Sequence, residues 1–586
     1  MSVVKTRMVK SRPIATQVTD LGYSDCPFVE QVTRLLPNTD ISRNVAVAQV
    51  CDLRGKLLRH LARRAFTLFS LSLILGISPA ALAADATVQF TIDPAKDAHP
   101  ISRYIYGVNR KLEGDWAGLT LRREGGNRWT AYNWTNNASN AGNDWHFQND
   151  NGMGNTDSPA APLVTALENA SANKAALVVT VPINGYLSAD KKGDGDVRKS
   201  GADYLQTRFV REEPAKGAPF TLTPDPKSPV VYQDEFVNWV KTKYPYGATD
   251  PLRPIFFSLD NEPDLWSSTH KEVHPDKPTY AEIIQKSTDY AKAIKAVEPK
   301  AKIFGPVNYG WQGYVRLQDA PDANNRDFQE VFLAAMHAAE QAAGKRLLDV
   351  FDVHWYPEAQ GGGKRIVTPD STPELIEARV QAPRSLWDTS YTEKSWITKS
   401  STHGPIALLP RLQKKIDANY PGTLLSMTEY NYGGGGHISG AIAEADVLGI
   451  FGQQNLFAAA EWPMAKDESF IAAGLKMFRN YDGANAAFGD LSISATSSDA
   501  STASIYASLD STNKKRMILV AINKTADPIT ASITIARAPS FKTAKVFVLT
   551  NESATPRAAE ALKITDPAKW SYTMPGYSVS TIEVLP

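Results

Sequence analysis

The chain of 586 residues has only two cysteines, Cys26 and Cys51, both ahead of residue 84. Nothing beyond that point can form a disulfide or act as a catalytic thiol, so stability must come from the size of the core. Charge of one sign is equally scarce: 63 Lys+Arg face 62 Asp+Glu, of which residues 1–84 hold 11 and 5, leaving 52 against 57. A mildly acidic body without a basic stripe argues against nucleic acid or an anionic membrane as partner. No His spacing suggests catalytic zinc. There is no internal repeat and no low-complexity tract. With 43% apolar and 21% charged residues, the composition is that of a soluble globular protein with a full-sized core. It suits an uncharged substrate, and the mature chain is expected to be a monomer with no membrane attachment.

The one concentration of positive charge sits where export requires it. Arg59, Arg63 and Arg64 precede an apolar run from Ala65 to Ile77, then Pro79 and the small residues Ala80 to Ala84. The run is too short to span a bilayer stably, and Ala-Leu-Ala-Ala supplies a cleavage site. We therefore expect a signal peptide over 56–83, cut near Ala83, and a secreted or periplasmic product. Arg63-Arg64-Ala65-Phe66 resembles a twin-arginine signal, although general secretion is the default. Residues 1–55 are expected to be an upstream extension, with translation starting nearer Arg54.

Beyond residue 84 the pattern divides in two. From about Leu119 to Phe488, short apolar runs alternate with amphipathic helices. Ala176-Val181, Ile255-Leu259, Lys302-Gly305, Asp349-Val353, Leu424-Thr428 and Phe457-Trp462 read as strands buried on both faces. Between them, Thr279-Tyr280-Ala281-Glu282 is a capping box that starts one helix, which Pro299 ends. Helices are also expected over Asp327 to Ala343 and Pro405 to Asn419. Such alternation favours a (β/α)8 TIM barrel over 111–488. An open doubly wound sheet is the fallback, weakened by the lack of a Gly-rich nucleotide loop. After Gly489 the runs Ser504-Leu509, Met517-Asn523, Ala531-Ile535, Ala544-Leu549 and Ser578-Val584 alternate as antiparallel strands. They predict a small all-β sandwich over 489–586, joined by N-terminal strand material from 84–110, Thr87-Ile92 in particular.

Two strands end in glutamates. Ile255-Phe-Phe-Ser-Leu259 runs into Asp260-Asn261-Glu262-Pro263, and Leu424-Leu-Ser-Met-Thr428 into Glu429-Tyr430-Asn431-Tyr432-Gly433. Active sites of such barrels lie at the C-terminal ends of the strands, and glycosidic cleavage needs two carboxyl groups flanking one bond. Singly, each is also a surface glutamate at a strand end; together they point to one reaction. Asn261 could hydrogen-bond a sugar 2-hydroxyl. Trp311, Trp355, Tyr356 and Trp462 follow other strand ends, where flat rings can stack on sugars or simply pack the core.

Longer stretches carry a resemblance. Asn127-Arg128-Trp-Thr-Ala-Tyr-Asn-Trp134, Asn136 to Gly142 with Asp144-Trp145, Asp260 to Pro263, Phe351-Asp-Val-His354-Trp355-Tyr356-Pro357, Ala378 to Trp387 and Thr428 to Gly433 together resemble glycoside hydrolase family 44 over essentially the whole mature chain. The resemblance implies a retaining endo-β-1,4-glucanase acting on xyloglucan and soluble cellulose derivatives, with Glu262 as acid/base and Glu429 as nucleophile. On the matched motifs, Asn127, Arg128, Trp134, His354 and Tyr430 join the expected substrate contacts. Thr135 stands where an acidic residue is expected, and Glu124 interrupts an Arg-x-Gly-Gly-Asn stretch expected to be less charged. The same chemistry on mannan or xylan, or a glycan-binding protein without activity, are the alternatives.

No cofactor is required by this chemistry. Asp190, Asp194 and Asp196, around Gly193 and Gly195, are weak candidates for a structural Ca²⁺, which the resemblance permits without assigning ligands.

Overall fold

The computed structural model describes residues 87–586, except 514 and 539, all within one compact unit running from Ala84. The expected extension, signal peptide and both cysteines lie outside the described residues. Among the described residues no helix is long and apolar enough to cross a membrane.

Eight parallel strands close in sequence order: β1 (Gly107–Val108), β2 (Leu121–Glu124), β3 (Ala176–Val181), β4 (Ile255–Leu259), β5 (Ile303–Asn308), β6 (Val350–Trp355), β7 (Leu424–Tyr430) and β8 (Ala458–Glu461). The ring shuts where Ala460 pairs with Gly107. A Cβ on residue 107 would lie 2.4 Å from the Ala459 carbonyl oxygen, so only glycine allows that approach. Leu121, Val178, Phe256, Phe304, Val350 and Ala460 fill the barrel interior as an apolar plug below the mouth. A packed plug of this kind makes the barrel a rigid platform for its loops.

The helices between strands form as their ends predict. Thr279 caps Tyr280–Val297 by accepting from the Glu282 N–H at 3.0 Å, and Asp327 caps Phe328–Ala343 through the Glu330 N–H at 3.1 Å. The helix expected from Pro405 starts instead at Leu408.

The barrel starts before residue 111, because β1 is Gly107–Val108. The segment 84–110 is therefore shared: Thr87–Asp93 and His99–Pro100 belong to the sandwich and the end of the segment to the barrel. Thr87–Asp93 lies between Leu491–Ser497, antiparallel, and Ile529–Ile535, parallel. Alternate residues Val88, Phe90 and Ile92 enter a core with Ile505, Leu519, Ile533 and Ile582, as the period of two requires. The sandwich forms one hydrogen-bonded array of eleven strands. Leu491–Ser497, Ser553–Ala558 and Lys569–Met574 are strands that the sequence pattern did not reveal.

Candidate active site

Glu262 and Glu429 reach the mouth by different local devices. After β4 the backbone takes left-handed conformations at Asp260 (φ 63°) and Glu262 (φ 45°), strained for residues with a Cβ. Three hydrogen bonds hold the first: Asp260 accepts from Thr130 Oγ1 at 2.6 Å, Asn261 N at 2.8 Å and Ile183 N at 2.7 Å. The Glu262 N–H donates to the Val307 carbonyl oxygen at 3.1 Å. In β7 the means is a bulge. Val353 pairs with Met427, but His354 pairs with Glu429, so one residue is skipped. The skip lets Thr428 and Glu429 both turn toward the mouth.

The two carboxylates and the His354 ring each offer an atom within 4.8 Å of the others. His354 Nδ1 is 2.8 Å from Glu262 Oε1 and 3.4 Å from Glu429 Oε2. Burial, with Arg123 nearby, pushes the imidazole well below its usual range, so the ring is neutral. The neutral ring thus sets Nδ1 between the two acids. Glu429 accepts from Arg123 Nη1 at 2.6 Å and from the Tyr356 hydroxyl at 2.7 Å.

These partners separate the two acids. Burial, then the charges of Glu429 and Asp264, hold Glu262 well above the usual carboxylate range. Burial raises Glu429 as well, but Arg123 and Tyr356 oppose it. Glu262 is thus the acid pushed further toward its protonated form, while Arg123 and Tyr356 favour the charged form of Glu429.

Asn261 stands beside them with its amide fixed. Its Oδ1 accepts from Arg123 Nη2 at 2.8 Å and from Gly126 N at 3.1 Å, which turns Nδ2 outward, 3.4 Å from Asn127 Oδ1. Asn127 is tied to Asp144 at 2.9 Å, and its carbonyl accepts from His270 at 2.8 Å. An open cleft of about 250 Å³ lies over the pair, bordered by Asn127, Tyr309, Tyr356, Arg365 and Trp462. It shares Tyr309, Tyr356 and Arg365 with a neighbouring hollow that includes Trp311 and Trp396. The result is an elongated groove suited to a chain molecule.

The structure thus brings together Glu262, Glu429, Asn261, His354, Tyr356, Asn127 and Trp462. Trp311 is largely buried, with Nε1 bonded to Ser401 at 2.8 Å, and only borders the hollow. Four expected contacts lie outside the cleft over the pair. Trp134 is buried against Phe236 and Trp239. Arg128 pairs with Asp150 and Ser139, tying a loop together. Trp355 is buried and, like Trp311, only borders the hollow. Tyr430 turns its hydroxyl to Glu444 at 2.7 Å, against the helix Ile438–Gln453. The last two have a common cause: next to an inward-facing residue on a strand, the neighbour faces out. His354 and Tyr356 face the mouth, so Trp355 cannot, and Glu429 displaces Tyr430 likewise.

The calcium candidates do not converge among the described residues. Asp190 and Asp194 both pair with Arg208 at 2.7 Å, and Asp196 with Arg198 at 2.7 Å. Oxygens already neutralised by guanidinium groups are a poor donor set for a hard cation. Of the two sequence departures, Glu124 pairs with Arg122 at 2.5 Å and Thr135 bonds Asn133 at 2.8 Å, so both are satisfied locally.

Sequence reasoning missed Arg123, Tyr309, Arg365 and Trp396. Arg123 had a signal: two adjacent arginines in an otherwise barrel-like run, followed by Gly125 and Gly126. A Cβ on residue 125 would fall 2.3 Å from the Arg123 guanidinium carbon, so the glycine makes room for it.

Two acids so near each other beneath an open groove, one raised well above the usual range and the other with its rise opposed by Arg123 and Tyr356, meet the requirements of glycosidic bond cleavage. On its fold and site the protein is a glycoside hydrolase. The comparisons narrow this. The family model described as glycoside hydrolase family 44 matches residues 138–359. Endoglucanase A of Paenibacillus lautus is 40% identical over 527 residues, 87% of this chain and 74% of that protein. A family 44 endoglucanase from Clostridium thermocellum superposes with a TM-score of 0.80 at 40% identity, covering 85% of this chain and 100% of the other. A family 44 xyloglucanase from Paenibacillus polymyxa, solved with xyloglucan, gives 0.81 at 40% identity, covering 85% and 100%. The chain belongs to glycoside hydrolase family 44.

Proposed function

We propose that this glycoside hydrolase is a secreted, retaining endo-β-1,4-glucanase that cuts internal bonds of xyloglucan and soluble cellulose by double displacement. The observation that carries the reading is the closeness of the two carboxylates, with atoms of both within 4.8 Å. Retaining enzymes hold the pair about 5–5.5 Å apart, whereas inverting ones need about 6.5–9.5 Å to admit a water. The groove that runs from the cleft over the pair into the neighbouring hollow suits a chain substrate, and the xyloglucan bound by the Paenibacillus polymyxa relative supports the substrate.

In the first step Glu429 attacks the anomeric carbon while Glu262 gives its proton to the leaving oxygen. His354 Nδ1, 2.8 Å from Glu262 Oε1, fixes the orientation of that carboxyl. Forming the ester removes the charge on Glu429, one of the causes that hold Glu262 up. The acid then weakens its grip on a proton and serves as base, taking one from the attacking water. Asn261 Nδ2 is placed to donate to the sugar 2-hydroxyl, a bond that strengthens in the transition state. Residues 56–83 would direct export before any of this chemistry begins. The reaction needs no cofactor beyond these side chains, and one chain carries the whole site.

Proton NMR of the first products released from xyloglucan oligosaccharides tests the mechanism. The β-anomer should appear first, and early α-anomer would overturn retention. Reducing-sugar release from xyloglucan, carboxymethylcellulose, glucomannan and xylan tests the substrate: the first two should react fastest. Faster glucomannan or xylan would replace the substrate class, and no release from any would leave only a glycan-binding role.

A further inference from the structure

A second groove lies far from the mouth. It opens where the end of the helix Ile438–Gln453 meets the sandwich strand Leu491–Ser497, with a volume of about 470 Å³. That is within the ~300–1,000 Å³ of ligand sites. The helix begins just after β7, at the catalytic mouth, and its 16 residues carry the chain roughly 24 Å toward the other end of the barrel. The groove is therefore separate from the catalytic cleft.

Its lining is unusual for a seam between two folded layers. Trp387 borders it with 37% of its surface exposed. The short helix Ala382–Leu386 sets that ring in place, and Arg384 anchors the turn by its pair with Asp388 at 2.9 Å. Opposite stand Asp97, Gln454, Ser494 and Thr496, short hydroxyl, amide and carboxylate groups. Gln453 is engaged with the Ala495 carbonyl at 3.2 Å, and His99 with Gly452 at 2.9 Å, which hold the two walls together. One half-open indole among hydroxyl and amide groups, with Asp97 beside them and no Lys or Arg in the lining, matches a glycan. Sugar C–H faces pack on the ring and hydroxyls exchange hydrogen bonds with amides and alcohols. A nucleic acid would need cationic partners for its phosphates, and this lining holds no Lys or Arg.

We infer that this groove is a second binding site for a β-1,4-linked glucan chain, with Trp387 as its platform, holding polymer on the enzyme away from the catalytic cleft. The choice of glucan rests on the substrate reading above. The site would raise the local concentration of chain near the mouth and matter only for substrates long enough to reach both.

The test uses the full chain with Glu262→Gln and Glu429→Gln, so that binding is read without turnover, and xyloglucan polymer as probe in affinity electrophoresis. Adding Trp387→Ala should weaken retention about three- to tenfold, the loss of one aromatic contact. Ser494→Arg, which fills the groove without touching the ring, should do the same. In the otherwise wild-type enzyme both changes should raise KM for xyloglucan, with kcat unchanged and hydrolysis of a chromogenic cellotrioside unaltered. Unchanged polymer binding in both variants would overturn the inference. So would loss in Trp387→Ala alone, or an equal loss on the cellotrioside, since either marks a folding effect. Failure of the substrate reading is distinguishable, because it would appear as absent xyloglucan hydrolysis in the parent enzyme.

Discussion

Arg123 Nη1 lies 2.6 Å from Glu429 Oε1, and both side chains are closed off from solvent. The guanidinium also donates to Asn109 at 3.1 Å and to Asn261 at 2.8 Å. A single residue on β2 therefore opposes the burial-driven rise of Glu429 and fixes the amide beside it. Replacing it with methionine should cost about 3–5 kcal/mol of stability, as expected when one partner of a buried pair is removed. Glu429 should then titrate higher, because Arg123 is the largest cause that lowers it. The acid limb of kcat/KM against pH should move upward. Arg123→Lys should recover part of the charge but not the forked geometry. Thermal melts and pH profiles of the two variants check both effects.

The division of labour between the glutamates predicts unlike mutants. Glu429→Gly should be inactive on xyloglucan, yet azide should enter the vacated space and yield an α-glycosyl azide. Glu262→Gln should lose about 10²- to 10⁴-fold on the polysaccharide and much less on an aryl glycoside, whose leaving group needs no proton. Identical rate losses on both substrates would remove Glu262 from the acid role.

Gly126 sits at φ 89°, where a Cβ would come 2.6 Å from the Trp462 ring. Its N–H also donates to Asn261 at 3.1 Å. Gly126→Ala should therefore push Trp462 from the cleft and loosen Asn261 together. We expect higher KM and lower kcat together with a lower melting temperature, since φ 89° with ψ 168° is held without strain only by glycine. Steady-state kinetics with a paired melt would show whether the two effects separate.

Behind the catalytic strand, burial raises Glu444 to about 8, and the Tyr430 hydroxyl bonds it at 2.7 Å. Because the folded value lies above the unfolded 4.5, the stabilising contribution is complete below pH 4.5. It is lost as pH rises through about 8. Glu444→Gln, which can still accept from Tyr430, should flatten that decline and be more stable than wild type at pH 8. Unfolding followed by circular dichroism at several pH values measures the two slopes.

Much of this molecule could be read before its structure. β4 and β7 were visible because each is an apolar run ending in a glutamate and a turn. The paired acids were legible because their chemistry demands two. β1 and β2 were not: Gly107–Val108 is two residues long, and Leu-Arg-Arg-Glu looks too charged for a buried strand. Those charges are there for the site, which is why propensity fails at that place. Of the aromatics expected at the groove, Tyr356 and Trp462 border the cleft while Trp134, Trp355 and Tyr430 are buried outside it, for the most part for a geometric reason. Trp355 and Tyr430 adjoin site residues in sequence and so face the opposite way in space. Trp134 shows that a motif can resemble a family through its core as readily as through its cleft.

The strand Thr87–Asp93, lying between two strands from the far end of the chain, has a consequence for synthesis. Ile92 pairs with Ile535, and at about 5–20 residues per second the intervening ~440 residues take roughly 20–90 s to emerge. Through that interval Val88, Phe90 and Ile92 have no partner sheet, although β1, a few residues further on, is already required to close the barrel. The last part of the protein to be made thus completes the first, and the catalytic barrel spends its assembly with an uncovered apolar ridge at its doorstep.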